Sequence, residues 1–232
     1  MVAASSTRAE APRRRALGWL LGLAALSLVG HSLPAFALTA HAADAPIANV
    51  ESSAPAAGEQ LEGRALLRAL RAGGNVIYFR HTATDHAKND AAMRSMSDCA
   101  NQRLLSAQGR ADAKRIGVQL RALKLPQGEV FASPMCRTMD HATLAFKRAT
   151  PKPQMREGGA EEYPGLKRLL LAEPVPAGSN RWLVGHGIPF RAVAGPPHLA
   201  EGEAVVIRPL GNGWAVLARL APDDWARLGS AP

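Results

Sequence analysis

The chain has 232 residues, of which 47% are apolar and 20% are charged, and its 21 Gly and 17 Pro are spread along its length. A disordered chain would be poorer in apolar residues, a collagen would repeat glycine at every third position, and a multi-pass membrane protein would show several long apolar runs. Its 2 cysteines are too few for a disulfide scaffold or a four-thiolate zinc site. The composition therefore predicts a globular domain that depends on a hydrophobic core.

Residues 1–42 have the pattern of a secretory signal peptide. The basic run Arg13-Arg14-Arg15 precedes an apolar stretch over residues 16–30, and the small residues of Ala40-His41-Ala42 follow. We expect cleavage after Ala42, with Ala37 as the alternative. An uncleaved membrane anchor is the competing interpretation, but the apolar stretch is shorter than the ~20 residues that a span needs. The pattern predicts a periplasmic or secreted protein with no stable membrane span after cleavage.

The remaining chain divides into a lead-in and one domain. Residues 43–58 are rich in Ala, Pro, Ser and Gly without apolar periodicity, which indicates a flexible segment. Residues 59–232 show no internal repeat and suit a single domain. Without residues 1–42 the chain keeps 24 basic and 18 acidic side chains, a formal charge of +6. Such an excess has two explanations, solubility or general compositional bias on the one hand and attraction to anionic ligands or envelope surfaces on the other. No dense basic run interleaved with aromatics indicates nucleic acid.

Short apolar runs alternate with helix-length stretches along this domain. The predicted strands are 76–79, 130–132, 182–184, 204–207 and 214–217, and the predicted helices are 106–123, 135–147 and 163–171. The alternation predicts an α/β fold of three layers, α/β/α, around a mostly parallel sheet. The segment Leu210-Gly211-Asn212-Gly213 predicts that the last two strands form a C-terminal hairpin.

Reactive residues follow each of the first three predicted strands. Arg80-His81 follows the first, Ser133 to Arg137 follows the second, and Gly185-His186-Gly187 follows the third. The carboxyl ends of parallel strands share one edge of a sheet, and open α/β sheets bind ligands there. Two guanidinium groups suit a phosphate, and a neutral imidazole beside them is a nucleophile for phosphorus. The sequence therefore predicts a site for a small phosphorylated substrate.

Taken together, these motifs resemble the histidine phosphatases, also called the phosphoglycerate mutase-like superfamily. Arg80-His81-Thr82-Ala83-Thr84 is similar to the family's Arg-His-Gly-x-Thr segment, and Ser133-Pro134-Met135-Cys136-Arg137-Thr138 to its Ser-x-x-x-Arg-Thr segment. Val184-Gly185-His186-Gly187 resembles the second-histidine motif, and Gly202-Glu203-Ala204 resembles a late strand. The resemblance spans roughly residues 75–208. It implies the family's fold, His81 as the nucleophile that becomes phosphorylated, and Arg80, Arg137 and His186 as ligands of the phosphoryl oxygens.

The resemblance leaves the proton donor open. The family uses a carboxyl group downstream of the second arginine, which implies Glu161 or Glu162 here, while Asp85 is a competing donor four residues after His81. Acidic residues at a helix start also suit the helix dipole without any catalytic role. This chain departs from the family pattern at Thr82, where the family has glycine, and at His141, where it commonly has threonine.

The implied activity is that of an exported phosphomonoesterase that works through a phosphohistidine intermediate and needs no cofactor. A noncatalytic protein that binds a phosphorylated ligand or the envelope through the same pocket is the alternative. A metal site built from His81, His86, His141, His186 and His198 is disfavoured because nearby cations and wide spacings do not suit a metal.

The two cysteines, Cys99 and Cys136, predict one disulfide. An oxidising compartment favours pairing over free thiols, and these are the chain's only cysteines. Two buried, reduced cysteines are the alternative, and a nucleophilic Cys136 beside Arg137 is a third possibility. The oligomeric state and the natural substrate are not encoded in any motif of the chain.

Overall fold

The computed structural model describes residues 60–158, 162–171, 173–211 and 213–230. The predicted signal peptide with both cleavage positions, the lead-in over residues 43–58 and the candidate donor Glu161 lie outside these residues. Within the described ranges, no helix is long and apolar enough to cross a membrane.

Helices and strands alternate along the described chain. In order they are α1 Gly63–Ala72, β1 Val76–Arg80, α2 Ala107–Ala122, β2 Gln127–Ala132, α3 Cys136–Phe146, β3 Thr150–Pro151, α4 Pro164–Leu171, β4 Asn180–Gly185, α5 Gly187–Ala194, β5 Ala204–Pro209, β6 Trp214–Leu220 and α6 Asp224–Ser230. Short 3-10 turns lie at Cys99–Asn101 and Pro153–Met155.

The strands form one mixed sheet in the order β3-β2-β4-β1-β5-β6. β3, β2, β4 and β1 are mutually parallel, whereas β5 pairs antiparallel with both β1 and β6. The predicted parallel sheet and the predicted C-terminal hairpin are both confirmed.

Hydrophobic residues cover both faces of this sheet, and β1 shows why. Ile77 and Phe79 belong to one buried cluster, and Val76 and Tyr78 belong to the other, because successive side chains of a strand point to opposite faces. Helices α1, α2, α3 and α6 contribute to the first cluster, and α4 and α5 to the second. The fold is therefore the predicted three-layer α/β/α arrangement, and its central strand is buried on both sides.

The structure extends several predicted elements and adds others. β2 begins three residues before the predicted start, in the partly exposed segment Gln127-Gly128-Glu129, which carries no apolar pattern. The predicted cap of α2 is present, since Ser106 Oγ accepts a hydrogen bond from the Gly109 N–H at 3.0 Å. Helices α1, α5 and α6 and the two-residue strand β3 were not predicted.

Candidate active site

Three strand-end motifs meet at one edge of the sheet, as the parallel order requires. β1 and β4 are neighbours with Arg80 opposite Gly185. The His81 N–H donates to the Gly185 carbonyl at 3.0 Å, and the Ser133 N–H donates to the Val184 carbonyl at 3.0 Å. The backbone thus brings the segments after β1, β2 and β4 side by side.

His81 is held as a neutral imidazole with one free nitrogen. Its side chain is buried, and Nδ1 lies 3.0 Å from the Thr82 carbonyl oxygen. A carbonyl oxygen only accepts hydrogen bonds, so Nδ1 carries the proton and Nε2 keeps its lone pair. Burial, reinforced by the nearby Arg137 guanidinium and opposed by the Thr82 hydrogen bond, lowers the pKa of His81 to about 4. At neutral pH the ring is therefore uncharged, with a lone pair on Nε2.

His186 lies beside His81, and hydrogen bonds from its backbone to Tyr78 hold it in place. The two ring centroids are 5.5 Å apart in an edge-on arrangement, and His186 Nε2 is hydrogen-bonded to Ser133 Oγ at 3.0 Å. The His186 N–H donates to the Tyr78 hydroxyl at 2.8 Å, and that hydroxyl donates to the His186 carbonyl at 2.9 Å. A Cβ at Gly185 would collide with the Tyr78 hydroxyl, so glycine is required there. Burial and the neighbouring His81 hold the pKa of His186 well below its usual value.

Arg80 and Arg137 flank the histidines with part of their donors unused. Arg80 donates from Nη1 to the Leu199 carbonyl at 2.6 Å and lies 3.5 Å from Glu201 Oε1. The buried Arg137 donates from Nη1 to Asp90 Oδ1 at 3.0 Å. Among the described residues, neither Nε atom has a hydrogen-bond partner, although both are buried. Buried polar atoms without partners are rare in proteins, so both arginines keep unused donors beside the histidines.

These side chains open into one cavity of about 390 Å³. Its lining contains the two histidines and two arginines predicted from sequence together with eight further residues: Asp90, Arg103, Arg156, Tyr163, Gly187, Ile188, Pro189 and His198. A cavity of this size suits a small phosphorylated molecule.

The candidate proton donors differ in whether they line the cavity. Asp85 is exposed, and its Oδ1 accepts a hydrogen bond from the Ala87 N–H at 3.1 Å. Glu162 is exposed and lines a separate depression with Lys167. Neither carboxyl lines the cavity. Asp90 does, and it is the one carboxyl among the cavity-lining residues in the described chain.

Arg103, Arg156 and Asp90 are cavity residues that sequence reasoning missed. They lie in the two irregular segments that follow His81 and β3, where no periodicity fixes a side chain's direction. Burial lowers the pKa of Arg137, the hydrogen bond to Asp90 opposes this effect, and the nearby Arg103 and Arg156 add to it. The charges of these segments gave no signal either, since residues 82–105 carry three basic and three acidic side chains.

His141, a residue at which the sequence departs from the motifs it resembles, is hydrogen-bonded to the segment after His81. It is fully buried, and its Nδ1 accepts a hydrogen bond from the Thr82 N–H at 3.2 Å. Only a neutral imidazole can accept in this way, and burial lowers the pKa of His141 to about 3. His141 therefore acts on His81 through the Thr82 backbone.

The predicted disulfide between Cys99 and Cys136 is present, with the two Cα atoms 5.7 Å apart. It excludes Cys136 as a free nucleophile in this structure. The Cys136 N–H also donates to Gln102 Oε1 at 3.0 Å, and Arg137 donates to the Arg103 carbonyl at 3.2 Å. The segment after His81 is therefore tied to the start of α3, directly beside a cavity arginine.

The five histidines considered for a metal site do not cluster. His81, His186 and His198 line the cavity, His141 lies behind it, and His86 is exposed with Nε2 3.7 Å from Glu201. In the part of the chain that the structure describes, no three His, Cys, Asp or Glu side chains are grouped to hold a metal ion.

Solved structures with similar folds exist, whereas no family model and no curated protein matches the chain. A protein histidine phosphatase SixA complexed with tungstate is 14% identical, with a TM-score of 0.47 over 65% of this chain and 98% of that one. A phosphoserine phosphatase from Entamoeba histolytica is 12% identical, with a TM-score of 0.46 over 63% and 96%.

A mycobacterial glucosyl-3-phosphoglycerate phosphatase with inorganic phosphate is 14% identical, with a TM-score of 0.45 over 65% of this chain and 99% of that one. Because these identities and TM-scores are low, what this chain does has to be argued from its own site.

Proposed function

We propose that the protein is a phosphomonoesterase that transfers the phosphoryl group of its substrate to His81 and then to water. The observation that carries the proposal is the state of His81: a buried, neutral ring with a free Nε2 in a cavity that it shares with two arginines. This combination suits attack on a phosphate ester better than binding of an apolar or cationic molecule.

In the proposed reaction, Nε2 of His81 attacks phosphorus in line with the departing oxygen. The P–O bond to the alcohol breaks, and a P–N bond forms. Arg80, Arg137 and His186 stabilise charge on the three remaining phosphoryl oxygens, which supplies most of the acceleration in phosphoryl transfer. Water then attacks phosphorus, releases inorganic phosphate and returns the electron pair to Nε2.

The departing alkoxide needs a proton, and we keep two donors. Glu161 follows from the family resemblance, and Asp90 follows from its position in the cavity. Replacement of the true donor by its amide should slow esters of aliphatic alcohols at least tenfold more than an activated aryl phosphate, because the latter departs without protonation. Glu161→Gln and Asp90→Asn separate the two, and Asp85→Asn is the control outside the cavity.

A noncatalytic phosphate-binding protein is the second candidate, and Asp90 is the observation that favours it. Hydrogen bonds from Arg137 and from the Arg103 N–H hold the pKa of this carboxyl below its usual value, against the effect of burial. An ionised carboxylate is a poor acid, so a site limited to Asp90 would bind a phosphorylated ligand more readily than it would cleave one.

The deciding experiment compares purified residues 43–232 with the His81→Ala variant. We expect the unchanged protein to release phosphate from an aryl phosphate and to form an acid-labile, base-stable phosphoprotein when it is quenched with labelled substrate. His81→Ala should show neither, while the exposed control His86→Ala should retain both. Binding of phosphate without turnover by the unchanged protein would establish the second candidate instead.

We also propose that the protein is exported. The pattern of residues 1–42 and the Cys99–Cys136 disulfide support this proposal. Mass spectrometry of the protein from cell fractions should find it in the periplasm or medium, beginning at Ala43 or Leu38, and full-length protein confined to the cytoplasm would contradict it.

A further inference from the structure

The mouth of the cavity differs in chemistry from its floor. The floor carries the buried His81, Arg137 and His186. Three apolar or aromatic residues, Tyr163, Ile188 and Pro189, also line the cavity, and Ile188 is 69% exposed. A phosphate ester bound at His81 would extend its alcohol portion into the rest of this lining, where these three residues lie beside Arg103, Arg156 and His198.

Ile188 is exposed because its neighbours fix the first turn of α5. Pro189 and Phe190 are buried, and the Phe190 ring stacks on Tyr78 with centroids 4.6 Å apart. Tyr78 in turn holds both backbone groups of His186. The helix therefore cannot rotate to bury Ile188 without breaking the contacts that position His186. The apolar side chain stays beside the cavity and not in the core.

Tyr163 supplies an independent observation. Its backbone φ is +33°, a conformation that is unfavourable for a bulky aromatic residue. Strained backbone of this kind is retained where the surroundings require it, often at binding sites. The Tyr163 side chain packs against the core cluster behind α4 and also lines the cavity.

The charged residues of the lining accept an aromatic partner as well. Arg103 and Arg156 contribute guanidinium groups to the same cavity. A guanidinium group stacks on an aromatic face and also donates hydrogen bonds, so these two arginines are compatible with an aromatic ring. An aromatic ring is therefore compatible with the apolar and the cationic parts of the lining at the same time.

We propose that the natural substrates are phosphate monoesters of aromatic alcohols, or of alcohols with a similarly broad apolar face, with Ile188 and Tyr163 as specificity-determining residues. The inference rests on the proposed function for the phosphoryl site. It adds the chemical class of the leaving alcohol, which the motifs at the strand ends do not indicate.

Phosphonates test this inference without turnover. Calorimetric titration of the mature protein should show phenylphosphonate binding about tenfold more tightly than methylphosphonate, because only the former covers the apolar lining. Ile188→Ser should weaken phenylphosphonate about fivefold and leave methylphosphonate unchanged. Val118→Ser is the matched control, since Val118 is also a branched apolar residue, 54% exposed, but lies on α2 outside the cavity lining.

The outcomes distinguish this inference from the proposed function. Equal affinity for the two phosphonates, or equal weakening of both by Ile188→Ser, overturns the substrate class even if phenyl phosphate is hydrolysed. A preference for phenylphosphonate that Ile188→Ser removes supports the substrate class even if no ester is hydrolysed, in which case the phosphatase proposal fails alone. Failure of both phosphonates to bind overturns the inference together with the phosphate site.

Discussion

Both ends of the central strands carry buried polar side chains, but the two ends differ in whether those side chains have hydrogen-bond partners. At the amino end, Asn75 and Asn180 are hydrogen-bonded to each other at 3.0 Å and to neighbouring carbonyls. Arg181 donates to Glu129 at 2.6 and 2.9 Å and to the carbonyls of Leu169, Glu173 and Pro174. Each of these groups is satisfied within the protein.

At the carboxyl end, buried polar atoms are left over. In the described chain, the buried side-chain atoms without a partner are Nε of Arg80, Arg103 and Arg137, Nε2 of His141, Oγ1 of Thr82 and, on α6, Nε1 of Trp225. An unpaired buried polar group costs about 1–3 kcal/mol. The amino end thus pairs Asn75, Asn180 and Arg181 within the fold, whereas, among the described residues, the carboxyl end leaves several atoms unpaired, three of them on arginines that line the cavity.

The largest expected effect is the loss of kcat/KM when Arg137, at the carboxyl end of the strands, is replaced. Arg137→Gln should reduce kcat/KM for an aryl phosphate about 10³-fold, because it removes a charged donor to the phosphoryl group from a buried site. Steady-state kinetics measure this loss, and circular dichroism checks that the variant folds. Arg115→Gln, an exposed residue paired with Asp112 and Asp223, is the control and should keep full activity. A loss below tenfold would remove Arg137 from the phosphate site.

The disulfide at the carboxyl end of the strands is expected to affect both the stability of the fold and the affinity for phosphate. Reduction, or the double substitution of Cys99 and Cys136 by Ser, should lower the free energy of unfolding by up to about 4 kcal/mol, since the bond closes a loop of 37 residues. Phosphate affinity should fall with it, because the bond orders the segment that contacts Arg137. Denaturant unfolding and phosphate titration measure the two effects. Destabilisation with unchanged phosphate affinity would assign the bond to the fold alone.

Arg181 tests the amino end of the strands. Arg181→Met should lower the free energy of unfolding by about 3 kcal/mol, because it leaves Glu129 and three carbonyls without their partner. The folded variant should retain kcat/KM within twofold at 25 °C. Urea unfolding followed by kinetics on the folded protein measures both quantities. A large loss of activity in fully folded Arg181→Met would show that the two ends of the sheet are coupled.

The smallest expected effect is the change of kcat/KM with pH that results from protonation of His81. The pKa of His81 is about 4, so protonation of this ring should change kcat/KM less than twofold between pH 7 and pH 5, after correction for the substrate's dianion fraction. An ordinary histidine pKa of about 6.5 would give a decrease of about 20-fold. Nuclear magnetic resonance titration of the His81 ring provides the direct measurement, and a midpoint near 6.5 would contradict the prediction.

The pKa values of the buried histidines also determine how the free energy of unfolding changes with pH. His81 has a folded-state pKa below its unfolded value, and so does His141. Below about pH 6.5 the unfolded chain binds more protons than the folded one. The free energy of unfolding should therefore decrease as the pH falls from 6.5 towards 4.

The sequence predicted the strand ends well because two local signals agreed there. His81, Arg137 and His186 each follow an apolar run, and parallel pairing alone brings such positions to one edge. Asp90 and Arg156 lie in irregular segments whose path depends on tertiary contacts, such as the 2.8 Å hydrogen bond from the Arg103 N–H to Asp90. No local pattern contains that information.

The missing helices α1 and α5 have different explanations. Helix α1 has a clear amphipathic pattern, with the buried Leu66 and Leu70 on one face and three arginines on the other, so the sequence contained a signal that the prediction did not use. Helix α5 starts at Gly187, inside the motif that follows β4, so its start has no conventional capping side chain. Tertiary packing decides α5 more than local propensity does.

The central position of β1 has a consequence for how the site comes into being. Phe79 pairs with Val184 on β4 and with Ala204 on β5, and the hydrogen-bonded residues Tyr78 and His186 are 108 positions apart. During synthesis His81 leaves the ribosome long before the strands that enclose it. Loop closure over such distances is slow and comes late in folding. A chain that ends before β5 lacks one of the two strands that pair with β1, so under the proposed function phosphate release would require that β5 has been made and has paired.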